Sequence, residues 1–194
     1  MTVNRMPAAE VSVSVELVRG LLDQQHPDLA DLPIEILANG WDNLVCRLGE
    51  ELLVRLPRRA VAAELIAHEQ RWLPELAGRL PLPVPAPLRV GQPTIRYPWS
   101  WSVVPFFPGR VAALSQPDDP WSAAVTLGGF LDALHIPAPP EAPVNPFRGI
   151  PLVGRAPGVL DALAHVDPAD RDAALRIWSR PRWWCKRRPS RDPV

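Results

Sequence analysis

The sequence predicts an α+β fold: an antiparallel sheet flanked by helices, followed by a helical region. Three observations carry this. Between Leu32 and Pro57 apolar residues recur with period two, and Gly40 and Gly49 interrupt them. On both sides of that stretch the apolar spacing is helical. Beyond Pro120 only helical spacing recurs, separated by proline-rich segments.

Ser12 to Gln25 reads as the first helix, with Ser14 as its cap and Leu17, Val18, Leu21 and Leu22 as its apolar stripe. His26-Pro27 ends it, because the residue before a proline is pushed out of the α region. Ile34, Ile36 and Ala38, then Leu44, Cys46 and Leu48, then Leu52-Leu53-Val54 read as three antiparallel strands joined by tight turns. Arg58 to Leu76 is the next helix, with Val61, Leu65, Trp72 and Leu73 on one side and Pro74 near its last turn. Pro81 to Pro87 is an extended connector, since proline does not donate to a central ladder. Leu88 to Val90 and Trp99 to Val104 are further strands, and Pro105 to Gly109 is a stiff extended segment. Pro120 to His135 is a helix with Ala124, Leu127, Phe130, Leu131 and Leu134 expected inward. Ile136 to Pro151 is irregular, and Asp167 to Trp178 is a last helix with Asp167 as cap and Pro168 in its first turn.

Composition narrows the function classes. The 194 residues are 47% hydrophobic and 22% charged with zero formal net charge, which excludes a uniformly basic nucleic-acid binder and a highly charged disordered chain. No apolar run approaches the roughly 20 residues of a membrane helix, and residues 1–9 carry no secretory signal. Two cysteines make no disulfide framework, and no Cys/His cluster has zinc spacing, so a cytoplasmic setting is expected. The 26 prolines, and the single lysine among 21 basic residues, point to a GC-rich coding sequence. Six of those basic residues fall within Ser179 to Val194, which has no periodicity and is expected to be a disordered tail.

The chemistry-bearing positions follow the strand order. Gly40 sits in the turn between the first two strands, where it permits φ > 0 and its backbone N–H groups could cover an anion; a plain hairpin turn has the same sequence signal. Asn43 could add a side-chain donor. Arg55 ends the third strand among apolar neighbours, and Glu69 lies mid-helix in the next element. Taken alone, each is also what a solvated charge looks like.

Taken together, Gly40-Trp-Asp-Asn-Leu-Val-Cys-Arg-Leu-Gly49, Leu52-Leu-Val-Arg-Leu-Pro-Arg-Arg59, His68-Glu-Gln-Arg-Trp-Leu-Pro74, Leu80-Pro-Leu-Pro-Val-Pro85, the segment Tyr97 to Gly109, and Phe130-Leu-Asp-Ala-Leu-His135 resemble the aminoglycoside phosphotransferase family of small-molecule kinases. The resemblance covers roughly Ile34 to Trp178. It implies a protein-kinase-like small lobe over 1–104, a hinge at 105–109, an incomplete helical lobe over 110–178 and the tail at 179–194. It also implies ATP or GTP with Mg²⁺ as cofactor, and γ-phosphoryl transfer to a small-molecule hydroxyl, with neither nucleic acid nor membrane as partner. On this reading Gly40, Asn43, Arg55 and Glu69 hold the triphosphate. Pro105 offers its C=O, and Phe107 its N–H, to the base.

The family's catalytic loop, His-Gly-Asp, four residues and then Asn, has no match. The nearest instance, His165-Val-Asp167, lacks the glycine and reads better as a helix cap. The expectation is therefore a chain without turnover, truncated or frameshifted before the catalytic loop. The alternative is a non-catalytic nucleotide-binding or interaction module that keeps the small lobe.

Overall fold

The computed structural model describes residues 7–112, 114–144 and 152–178; the expectation for the tail at 179–194 lies outside them. By its contacts the chain divides into two compact units, Met1–Ala138 and Pro139–Val194.

The first unit opens with α1 (Val15–Gln25). The Ser14 side chain caps it by accepting from the Leu17 N–H, and Leu17, Val18, Leu21 and Leu22 are buried as the stripe predicts. A single 3-10 turn over Pro27–Leu29 leads to the meander β1 (Ile34–Asn39), β2 (Asn43–Leu48) and β3 (Leu52–Pro57). After α2 (Ala60–Ala77) the chain adds β4 (Arg89–Gly91) and β5 (Trp101–Pro105), completing an antiparallel sheet in the order β1-β2-β3-β5-β4. The expected meander is therefore present. The last two strands start one and two residues later than the periodicity predicts.

The sheet has two unlike faces, because side chains alternate along each strand. Leu44, Cys46, Leu48, Val54, Leu56, Trp101 and Val103 join the α1 stripe and Tyr97 in one buried cluster. Arg55, between buried Val54 and Leu56, must point to the other face, where α2 packs on β3 and β5. The face of α2 turned inward is displaced from expectation by one residue. Ala62 and Ile66 are buried, whereas Val61 and Leu65 are 60% and 49% exposed. A small residue at Ala62 admits close helix–sheet approach, and the stripe it starts reaches Glu69 and Leu73 at helical spacing. That one-residue offset, about 100° of rotation, places Glu69 toward the sheet.

Two further expectations are corrected. The period-two reading of β1 is broken by a register shift between Ile36 and Ala38, and Ile36 and Leu37 are each 47% exposed. Helix α3 (Pro120–Leu134) starts on an Asp119 cap as a good helix should, but none of its residues is buried. Of those expected inward, Leu127 and Leu131 are exposed and only Phe130 and Leu134 are half-buried.

In the second unit, α4 (Ala156–Ala164) packs with α5 (Pro168–Trp178). Sequence reasoning missed α4, because Pro157 and Gly158 read as breakers; a proline in the first helical turn loses no hydrogen bond. The Asp167 carboxylate accepts from the Ala169 N–H at 3.0 Å, so the cap read for α5 is formed. Among the described residues no helix is long and apolar enough to cross a membrane.

Burial of Cys46 has a measurable consequence. Its thiol is fully enclosed, and desolvation pushes its pKa up to about 11. The folded chain therefore holds this proton where the unfolded chain has lost it. The resulting stability is complete below the unfolded thiol's pKa and declines as pH rises through it toward about 11. Chemical denaturation across this range is expected to show falling stability, with a shallower fall for Cys46→Ala. Alkylation mapped by mass spectrometry should leave Cys46 unmodified until the protein unfolds.

Candidate functional site

Arg55 and Glu69 meet on the α2 face of the sheet. The Arg55 Nη1 donates to Glu69 Oε2 at 2.5 Å and Nη2 donates to Oε1 at 3.2 Å, a two-pronged ion pair with side chains 19% and 32% exposed. The planar guanidinium matches the carboxylate fork, which a lysine could not do. Two of five N–H donors are used, leaving Nε–H and one hydrogen on each terminal nitrogen for another acceptor. Glu69 is held in place by its helix. The next residue, Gln70, donates its amide to the Trp101 C=O and the Ser102 Oγ, both at 2.9 Å, which ties α2 to β5. Ser102 is itself the cross-strand partner of Arg55.

The β1–β2 turn consists of Gly40, Trp41 and Asp42. The Gly40 N–H donates to the Asn43 C=O at 3.0 Å, so it is not available to a ligand. The expected positive φ is absent at Gly40 and occurs at Gly49, φ 59°, in the β2–β3 turn. What Gly40 supplies is space: a Cβ there would stand 3.3 Å from the Asn43 carbonyl oxygen. Among the described residues the N–H groups of Trp41 and Asp42 have no backbone partner, and the buried Asn43 Oδ1 meets no donor. Asn43 thus carries an unmet acceptor at the base of the turn rather than only the expected donor.

At the far end of β5, the ladder explains Pro105. The Phe106 N–H donates to the Glu51 C=O at 2.7 Å, which makes Glu51 and Phe106 a hydrogen-bonded pair. Leu52 and Pro105, next in register, therefore form the non-bonded pair, where a missing N–H costs nothing. The Pro105 C=O consequently faces away from β3. On that side the Val103 C=O is taken by the Leu88 N–H, but β4 pairs no further along than Val103. Among the described residues neither the Pro105 C=O nor the Phe107 N–H has a backbone partner. An acceptor and a donor two residues apart are thus left at a sheet edge. Beside them, the Arg47 guanidinium lies 3.4 Å from the centre of the Phe106 ring and donates to the Gly49 C=O at 3.1 Å, bracing the segment against β2.

Three groups escaped sequence reasoning: Arg58, 8% exposed and bonded to the turn; the Asp42–Arg59 ion pair; and the Gln70–Ser102 bond. The only signal for the first two is the Arg58-Arg59 doublet directly after a strand end, where charges usually face water. His165 and Asp167 are not brought into any such arrangement. The His165 Nδ1 contacts the Asp161 C=O, and Asp167 serves as a cap. Among the described residues no three of His, Cys, Asp and Glu gather where they could hold a metal ion. A groove between α1 and the loop at Pro93–Arg96, about 720 Å³ and lined in part by Leu17 and Leu21, lies against the α1 core, on the opposite face of the sheet from Arg55.

A five-stranded antiparallel sheet, with an arginine on its third strand paired to a glutamate on the following helix, defines a protein-kinase-like small lobe. The comparisons agree. The GDP complex of wild-type aminoglycoside 2'-phosphotransferase-IIIa superposes with a TM-score of 0.67 at 21% identity, over 84% of this chain and 57% of that one. The GDP and kanamycin complex of APH(2")-IIia gives 0.62 at 20% identity, over 83% and 55%. The chain thus spans a little over half the length of the structures it matches. No curated protein matches in sequence. The family model described as the phosphotransferase enzyme family matches residues 33–194, and the chain belongs to that family.

Proposed function

We propose that this chain is the nucleotide-binding part of a small-molecule kinase of the aminoglycoside phosphotransferase type, competent to bind ATP or GTP but not to transfer the γ-phosphoryl group by itself. The observation that carries it is the Arg55–Glu69 fork, in which an oriented cation keeps three donors for another acceptor, on a sheet whose β1–β2 turn has, among the described residues, two N–H groups without a backbone partner. Such groups suit the oxygens of a polyphosphate, because fixed N–H dipoles and a guanidinium stabilise negative charge without reorganising. The Pro105 C=O and Phe107 N–H supply the acceptor–donor pair that a purine edge needs. Mg²⁺ would neutralise charge on the bound phosphates in this chemistry; among the described residues no three of His, Cys, Asp and Glu gather to hold it.

Transfer also requires a carboxylate to orient the acceptor hydroxyl. Of the two His-x-Asp runs in the sequence, His26-Pro-Asp28 precedes the sheet and has its Asp28 carboxylate beside Arg89, and His165-Val-Asp167 spends its Asp167 carboxylate on the α5 cap. A non-catalytic binding module predicts the same nucleotide affinity, but the apolar residues exposed along α3, Trp121, Val125 and Leu127, favour a part of an enzyme over a self-sufficient module.

Isothermal titration with ATP and GTP is expected to show saturable binding at one site, and an ADP-release assay with a panel of aminoglycosides is expected to show no turnover. Absence of nucleotide binding would sink the reading; genuine turnover would sink the claim of inactivity.

A further inference from the structure

The β1–β2 turn is fastened by the dipeptide between β3 and α2. The Arg58 Nη1 donates to the Gly40 C=O at 2.6 Å, and the Arg58 N–H donates to the Asp42 C=O at 2.8 Å. The Asp42 carboxylate is paired with the Arg59 guanidinium. Both ends of a three-residue turn are thus bonded to adjacent arginines. Arg58 is anchored in its turn: its C=O accepts from the Glu10 N–H at 2.9 Å, and the Glu10 carboxylate accepts from the Ala60 N–H at the start of α2. The turn already closes on its own backbone through the Gly40 N–H and the Asn43 C=O, and a plain hairpin needs no buried guanidinium besides. A carboxylate in a turn that receives a polyphosphate would also repel it, and Arg59 neutralises that charge.

We propose that Arg58 and Arg59 are positioning residues for polyphosphate binding. Arg58 fixes the turn so that the Trp41 and Asp42 N–H groups face the ligand, and Arg59 cancels the charge of Asp42. This rests on the nucleotide reading above and adds two residues to it. The two parts separate by experiment. Affinities for AMP, ADP and ATP are measured by displacement of a fluorescent nucleotide from the wild-type chain, Arg59→Ala, Arg58→Lys, and the double variant Asp42→Asn with Arg59→Ala, with thermal melts alongside.

Arg59→Ala is expected to weaken ATP about tenfold, ADP less and AMP hardly at all, since an unmasked charge near the phosphates acts in proportion to their number. The double variant regains most of that loss, because the repelling carboxylate is gone. Arg58→Lys keeps the charge but is too short to hold the Gly40 C=O as Nη1 does, and shows the same graded loss without a large change in melting temperature. Equal losses for all three nucleotides, or no recovery in the double variant, overturns the proposal while leaving the nucleotide reading intact. A wild-type chain that binds none of the three overturns both.

Discussion

Replacing Glu69 with alanine is expected to lower ATP or GTP affinity about tenfold, nearly as much as Arg55→Ala does, although Glu69 lies on the helix behind the cation. The physical cause is orientation. With both carboxylate oxygens engaged at 2.5 and 3.2 Å, the guanidinium plane is fixed and its remaining donors point one way. Without Glu69 the arginine gains rotamers and loses a partner in a half-buried site, so part of the binding energy is spent on re-ordering it. The two substitutions should therefore be strongly non-additive. A double-mutant cycle is expected to give a coupling of about 1.4 kcal/mol, the whole of the tenfold Glu69→Ala loss, with the double variant scarcely weaker than Arg55→Ala. Glu69→Gln, which keeps one good acceptor, falls between. Additive losses measured by titration calorimetry would mean that the pair is structural decoration. A loss on Arg55→Ala but none on Glu69→Ala would mean that the helix does not orient the cation.

That pair was legible in the sequence through the family resemblance, which implies a cation at the end of the third strand and a carboxylate in the next helix; the structure supplies the physical reason. Strand alternation puts Arg55 on the face opposite Val54 and Leu56, and the strand–helix order brings the next helix onto that face. The helix register was harder. Val61 and Leu65 are larger and more apolar than Ala62, so composition alone turns α2 by one residue. Close packing on the sheet favours the small side chain instead. The turn shows a different limit. A glycine suggests positive φ, but Gly40 is there for the 3.3 Å approach to the Asn43 carbonyl, and the residue that adopts positive φ is Gly49. Buried Arg58 was illegible in principle: nothing in a linear pattern says that a charge after a strand end will bond both a distant turn and the segment before α1. Pro105 lies between these cases. Its tolerance depends on falling at a non-bonded pair, which is a matter of register and not of composition.

The second large effect concerns a glycine that sequence reasoning passed over. Gly91 closes β4 opposite Trp101, and a Cβ at Gly91 would lie 1.8 Å from Cε2 of the indole. Trp101 has nowhere to go. It is fully buried in the core shared with α1, the edge of His26 meets its ring at 5.4 Å between centroids, and its C=O is held by Gln70. Gly91→Ala must therefore displace either β4 or the tryptophan. Overpacking of this kind costs typically about 1–3 kcal/mol and occasionally more, and a rigid buried ring belongs at the upper end. For a chain of this size that is a melting temperature lower by roughly 10 °C. The damage should reach the site as well, because movement of Trp101 releases Gln70 and with it the placement of Glu69 one residue earlier on α2. Thermal melts of Gly91→Ala, and of Gly91→Ala with Trp101→Leu, check this. The smaller side chain makes room for the methyl group, so the double variant is expected to be no less stable than Trp101→Leu alone. If Gly91→Ala melts with the wild type, the fit between β4 and the indole is looser than described, and the route from that edge strand to Glu69 goes with it.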